Sequence, residues 1–117
     1  MRSFVSSYSN ATDPIWVKYS GGFVVYFTRN GIRHKVYYTQ TGDQKCIIRQ
    51  YSAEYMPPEI RQLVDFTFCG YTILLVNEIT RAGKTRYEIK IEAESSIKEI
   101  KIDDNGIEVM NEFKRSN

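Results

Sequence analysis

The sequence predicts an α+β fold made of two tandem repeats. Each repeat is one helix plus a four-stranded antiparallel meander, with the helices packed on one sheet face. Three observations predict it. Aromatic residues are 14% of the 117, with nine Tyr, six Phe and one Trp, and that composition favours strands. Turn signals recur at short intervals, with Asn30-Gly31 the strongest. Helical apolar spacing occurs in two stretches, one near the start of each half.

The first half reads as follows. Residues 2–8 place Phe4, Val5 and Tyr8 on one helical face. Asn10-Ala11-Thr12-Asp13-Pro14 breaks that helix. Residues 15–19 form a strand, and Ser20-Gly21-Gly22 a hairpin turn. Residues 23–28 form the second strand. Asn30-Gly31 then suits a type I′ turn, which needs positive φ at both central positions. Residues 32–39, a turn at Thr41-Gly42-Asp43 and residues 45–51 complete the meander.

The second half repeats the rhythm. Pro57-Pro58-Glu59 starts a helix, because proline is tolerated in the first turn and the glutamate suits its positive end. Ile60, Leu63, Val64 and Phe68 recur at helical spacing over residues 58–68, and Gly70 stops the helix. Strands follow at residues 71–79, 86–92, 97–103 and 107–113. Arg81-Ala82-Gly83-Lys84 and Asp104-Asn105-Gly106 supply hairpin turns. Residues 86–92 alternate strictly, with Tyr87, Ile89 and Ile91 on one face and Arg86, Glu88, Lys90 and Glu92 on the other. That alternation marks a sheet with one wet face.

Laid over each other, the halves match at an offset of about 60 residues. Phe23-Val24-Val25-Tyr26-Phe27 falls on Tyr87-Glu88-Ile89-Lys90-Ile91, and the turn at Gly42 on the turn at Gly106. The expectation is one domain, residues 1–117, built from repeats at about 1–54 and 55–117. One repeat alone is marginal in size, and two copies can share one larger core.

Composition narrows function. With 16 basic and 14 acidic residues the net charge is +2, and the basic residues are scattered among acids. A nucleic-acid-binding surface would show a stronger, clustered excess. No apolar run is long enough to span a membrane, so contact with one is peripheral at most. Met1-Arg2 is followed by Ser3-Phe4-Val5-Ser6-Ser7, so the sequence as given carries no export signal. The abrupt start in a helix-like segment is compatible with a signal already removed. Cys46 and Cys69 read as two buried free thiols, with a disulfide left open because only geometry decides it.

No catalytic constellation is visible. His34 is the single histidine, set mid-strand between Arg33 and Lys35, with no second histidine for a metal and no nucleophile elbow for a triad. Asp103 and Asp104 precede Asn105-Gly106, where acids commonly initiate turns, and no calcium loop is completed. The expectation is a protein that is not an enzyme and takes no cofactor and no metal.

One positive hint concerns aromatic residues. If Phe23, Val25 and Phe27 face the core, Val24 and Tyr26 face outward. Arg33, Lys35 and Tyr37 share a face of the next strand, as do Arg49 and Tyr51 on the fourth. Tyr26, Arg33, Lys35, Tyr37, Arg49 and Tyr51 are therefore the candidate binding residues, since Tyr and Arg are enriched at binding hot spots. Trp16 is assigned to the core. The competing reading is a small ligand held between sheet and helices.

The order of motifs also resembles a known family. Asn10-Ala11-Thr12-Asp13, Trp16, Gly21 to Phe27, Gly31, Val36-Tyr37-Tyr38 and Gly42-Asp43 resemble the first repeat of the PepSY-like, β-lactamase-inhibitor-like family. Met56-Pro57-Pro58-Glu59-Ile60, Phe68-Cys69-Gly70-Tyr71, Tyr87-Glu88-Ile89 and Ile102 to Gly106 resemble its second. The resemblance implies a tandem α+β domain without catalytic residues, exported to the periplasm or beyond. It also implies a binding or inhibitory role toward an unidentified protein or envelope component. Fold similarity by itself does not establish inhibition.

Overall fold

A computed structural model describes residues 12–115. Eight strands follow one another in one antiparallel sheet in chain order. They are β1 (Thr12–Tyr19), β2 (Gly22–Arg29), β3 (Ile32–Thr39), β4 (Gln44–Tyr51), β5 (Thr72–Arg81), β6 (Lys84–Glu92), β7 (Ser96–Asp103) and β8 (Gly106–Lys114). Between β4 and β5 lie a single 3-10 turn, Ala53–Tyr55, and the helix α1, Pro58–Thr67.

The expected pair of helix-plus-meander repeats with helices packed on one sheet face is therefore corrected. The architecture is one eight-stranded sheet with a single α-helix among the described residues. The helix expected at residues 2–8 lies outside the described residues. α1 itself buries only Val64 fully, while Leu63, expected on its apolar face, is exposed and Phe66 is 89% exposed. Ten residues give under three turns, too few for an apolar stripe to cover a sheet.

Local chemistry explains the strand boundaries. Asn30 and Gly31 have φ of 54° and 79°, and Ala82 and Gly83 have 52° and 76°. Positive φ at both central residues is the type I′ geometry whose twist matches the flanking strands. At the β7–β8 turn the Asp103 carboxylate accepts from the Asn105 backbone N–H at 2.8 Å, an Asx turn. Met56 and Val64 are buried, and Phe68 and Tyr71 meet edge to face at 6.0 Å where the chain leaves α1.

Contacts divide the chain into two compact units. The first holds residues up to Gln50 together with Glu78–Thr85. Its core is Val25, Phe27, Val36 and Tyr38, with Trp16, Phe23 and Ile47 packed against it. Register creates this core: Trp16 pairs with Val25, Val25 with Val36, and Val36 with Ile47, one apolar row across four strands. Phe27 pairs with His34 and His34 with Arg49 on the same face. Cys46 is buried and free, whereas Cys69, in the second unit, is exposed; the expectation of two buried thiols holds only for the first.

The second unit holds Tyr51–Asn77 and the chain from Arg86 onward. Ile89, Ile91, Ile100 and Ile102 are buried, and Ile89 pairs with Ile100 and Ile100 with Val109. The opposite face carries compensated charge: Glu88 pairs with Lys101, and Lys101 with Glu108.

His34 sits deep in the first unit. It is 6% exposed, stacks on Phe27 at 4.7 Å between ring centroids, and donates from Nδ1 to the Ile32 carbonyl at 2.9 Å. Burial lowers its pKa from the ordinary 6.5; the Ile32 carbonyl and Glu78 oppose the shift, and Arg49 and Arg29 add to it. The folded state thus binds the proton more weakly than the unfolded chain. The contribution of His34 to stability is complete above pH 6.5 and is lost as pH falls from there toward the lowered folded value. Stability measured by denaturant should decline in the wild type as pH falls below 6.5, and decline less in His34→Phe. Equal slopes for the two proteins would remove this role.

Candidate functional site

The hairpin β1–β2 and strand β3 present one exposed face. The two-residue turn Ser20-Gly21 pairs Tyr19 with Gly22, which places Val17 opposite Val24 and Ile15 opposite Tyr26. The turn at Asn30-Gly31 then pairs Tyr26 with Lys35, Val24 with Tyr37, and Thr28 with Arg33. Because strand side chains alternate, all of these residues lie on the side opposite the Trp16–Val25–Val36–Ile47 row.

Exposure is highest on the outer strands. Ile15 is 62% exposed, Val17 44% and Tyr26 39%. Lys35 and Tyr37 are half-buried. Val24, expected to face outward, does lie on this side but is only 5% exposed between its register neighbours Val17 and Tyr37.

Aromatic rings fix the cations. Lys35 Nζ lies 5.5 Å from the Tyr26 ring centroid and 5.3 Å from that of Tyr37. Lys45 Nζ lies 5.9 Å from the Tyr19 ring, and Tyr19 meets Tyr37 edge to face at 5.9 Å. Such cation–π contacts contribute about 0.5–1 kcal/mol each at exposed sites. Hydrogen bonding to Tyr37, the largest effect, raises the Lys35 pKa above its ordinary value against partial burial.

Four of the six expected site residues thus come together: Tyr26, Arg33, Lys35 and Tyr37. The other two do not. Arg49 pairs with His34 on the core face, where its Nη1 donates to Glu78 Oε2 at 2.7 Å. Tyr51 is 5% exposed and packs edge to face on Tyr55 at 6.5 Å in the second unit. A β-bulge explains the miss. Tyr38 pairs with Gln44 but Tyr37 with Cys46, so Lys45 is the extra residue and every later side chain of β4 changes face.

Sequence reading missed Ile15, Val17, Tyr19 and Lys45. The first three were available by counting back from the two-residue Ser20-Gly21 turn. Lys45 depends on the bulge, and Gln44-Lys45-Cys46 carries no glycine or proline to announce one.

A concavity lies within the second unit, lined by strand residues that include Asn77, Lys90, Glu99 and Asn111. At about 200 Å³ it is smaller than typical small-molecule sites, and no helix residue lines it. Among the described residues no group of three or more His, Cys, Asp or Glu side chains is placed to hold a metal ion.

The class defined by this geometry is an eight-stranded antiparallel sheet with one helix in the β4–β5 connection and an exposed aromatic face on its first strands. Solved structures share the fold. A BLIP-like protein from Bacteroides fragilis covers 99% of this chain and 84% of its own length, with a TM-score of 0.71 and 13% identity. A DUF2874 family protein from Bacteroides uniformis covers 97% and 85%, with a TM-score of 0.70 and 14% identity. A protein from Bacteroides eggerthii, named as a "putative periplasmic" protein, covers 97% and 84% at a TM-score of 0.70 and 14% identity. At such identity the likeness is one of fold. The BLIP-like part of the expected resemblance agrees in fold with the B. fragilis structure, and none of these names is PepSY-like. No protein-family model and no curated protein matches the chain.

Proposed function

We propose that this chain is a non-catalytic protein-binding module of the bacterial cell envelope, and that it binds through the β1–β3 face. One observation carries the reading. Ile15, Val17 and Tyr26 expose apolar area side by side, next to tyrosines and cations already held in place. Exposed apolar area of this kind marks an interaction surface, and rigid aromatics lose little entropy on binding. His34, the only histidine, is buried with its Nδ1 committed to a backbone carbonyl, which leaves it poorly placed as a general base for a bound substrate. The envelope location is supported by the likeness to the B. eggerthii protein. No helix among the described residues is long and apolar enough to cross a membrane.

The test is capture from an envelope extract of the native host with the immobilised full chain. The triple variant Tyr26→Ala, Lys35→Ala, Tyr37→Ala should capture the partner at least about tenfold less well, a loss of about 1.4 kcal/mol or more. Arg49→Ala should leave capture unchanged and instead lower stability, because Arg49 faces the core beside Glu78. If the triple variant captures the same protein equally well, the face is not the binding site.

A further inference from the structure

Charge is distributed differently on the two units. On the second, cations of the wet face lie beside acids: Lys101 Nζ is 3.8 Å from Asp103 and 3.6 Å from Glu108, and Arg86 is 2.8 Å from Glu88. On the β1–β3 face the register rows are Ile15–Tyr26–Lys35–Ile48, Val17–Val24–Tyr37–Cys46 and Thr28–Arg33–Gln50. No Asp or Glu occurs in any of them. Among the described residues, none of Arg33, Lys35 and Lys45 takes part in an ion pair.

The cations are also fixed in position. An anionic membrane is met by lysines that reach beyond the apolar residues into the headgroups. Here the Lys35 and Lys45 ammoniums are laid on tyrosine rings within the sheet face. Fixed point charges separated by aromatic and aliphatic side chains suit discrete carboxylates spaced along a chain.

Resting on the reading above, we propose that the partner presents an acidic segment to this face. Its carboxylates meet Lys35 and Lys45, and its apolar side chains pack on Ile15, Val17 and Tyr26.

The test is to pan a random peptide library displayed on phage against the immobilised full chain, with vesicles of phosphatidylglycerol and phosphatidylcholine assayed in parallel. Enriched peptides should combine excess Asp and Glu with aliphatic or aromatic residues. As free peptides they should bind Lys35→Glu/Lys45→Glu at least about tenfold more weakly than wild type, and added salt should weaken the wild-type interaction. Lys35→Met keeps the stem against the rings and removes only the charge, so it should lose several-fold with an unchanged circular dichroism spectrum. Peptides without acidic excess that still lose binding in Tyr26→Ala would overturn the acidic partner while leaving the binding face intact. Peptides indifferent to every substitution on the face would overturn both. Vesicle binding without acidic-peptide binding, or no enriched peptide at all, also counts against the proposal.

Discussion

Gly22→Ala is expected to cost about 3 kcal/mol or more and to lower the melting temperature by roughly 10 °C or more. Gly22 opens β2 with φ of 144°, a conformation that other residues rarely adopt. A β-carbon there would lie 2.0 Å from the Tyr38 carbonyl oxygen and 2.8 Å from the Thr39 carbonyl carbon. Both are backbone atoms of β3, so no rotamer change relieves the overlap. Gly22 pairs with Tyr19 on one side and Thr39 on the other, and one ladder must open. The variant therefore breaks the register that brings Tyr19, Val17 and Ile15 onto the exposed face, and binding should fall with stability. Gly42 is the control. It has φ of 94°, and a β-carbon there would meet nothing within 4 Å, so Gly42→Ala should cost only about 1 kcal/mol of backbone strain. Guanidinium unfolding of the two variants decides the matter. A Gly22→Ala cost no larger than that of Gly42→Ala would mean that the close approach of β2 to β3 is absent in solution.

The strands were legible in the sequence because their punctuation is local. Asn30-Gly31 and Ala82-Gly83 adopt the positive φ that their turns demand, and the strands beside them begin and end within a few residues of the expected positions. On β4 the faces were not legible past the β3–β4 bulge. Counting alternate residues places Arg49 with Arg33, and an unbroken β3–β4 ladder would have done so. The extra residue Lys45 moves Arg49 opposite His34 and hands Lys45 to the Tyr19 ring. Such a bulge is a tertiary choice: it takes Arg49 to Glu78 and brings Ile47 onto the Val25–Val36 core row. Gln44-Lys45-Cys46 itself carries no glycine or proline that encodes it. The helix-on-sheet expectation failed for a related reason. Ile60, Leu63, Val64 and Phe68 have the right spacing, but spacing does not report which positions find a partner, and only Val64 becomes fully buried.

In the second unit the apolar row should outweigh the charged ladder, although the ladder makes more nameable contacts. Ile100 is fully buried, between Ile89 and Val109 in register. Ile100→Ala removes three carbons from a site whose neighbours are held by the sheet, and an unrelieved cavity of that kind costs about 3 kcal/mol, within a range of roughly 2–5. Its neighbour Lys101 lies 3.6 to 3.8 Å from two carboxylates and pairs across the sheet with Glu88. Glu108 is well exposed at 68%, while Lys101 and Asp103 are half-buried at 29% and 24%, still in reach of water at the sheet surface. Exposed pairs contribute about 0–1 kcal/mol because screening and side-chain entropy offset the attraction. Lys101→Met should therefore shift stability by less than about 1 kcal/mol, in either direction, since methionine also suits a half-buried strand position. Denaturant midpoints at low and high salt separate the two effects. The Ile100→Ala loss should be insensitive to salt, and the small Lys101→Met change should shrink as salt rises. If Lys101→Met proved the costlier substitution, the second unit would be held by its charged face, and burial of the isoleucine row could no longer explain why these strands associate.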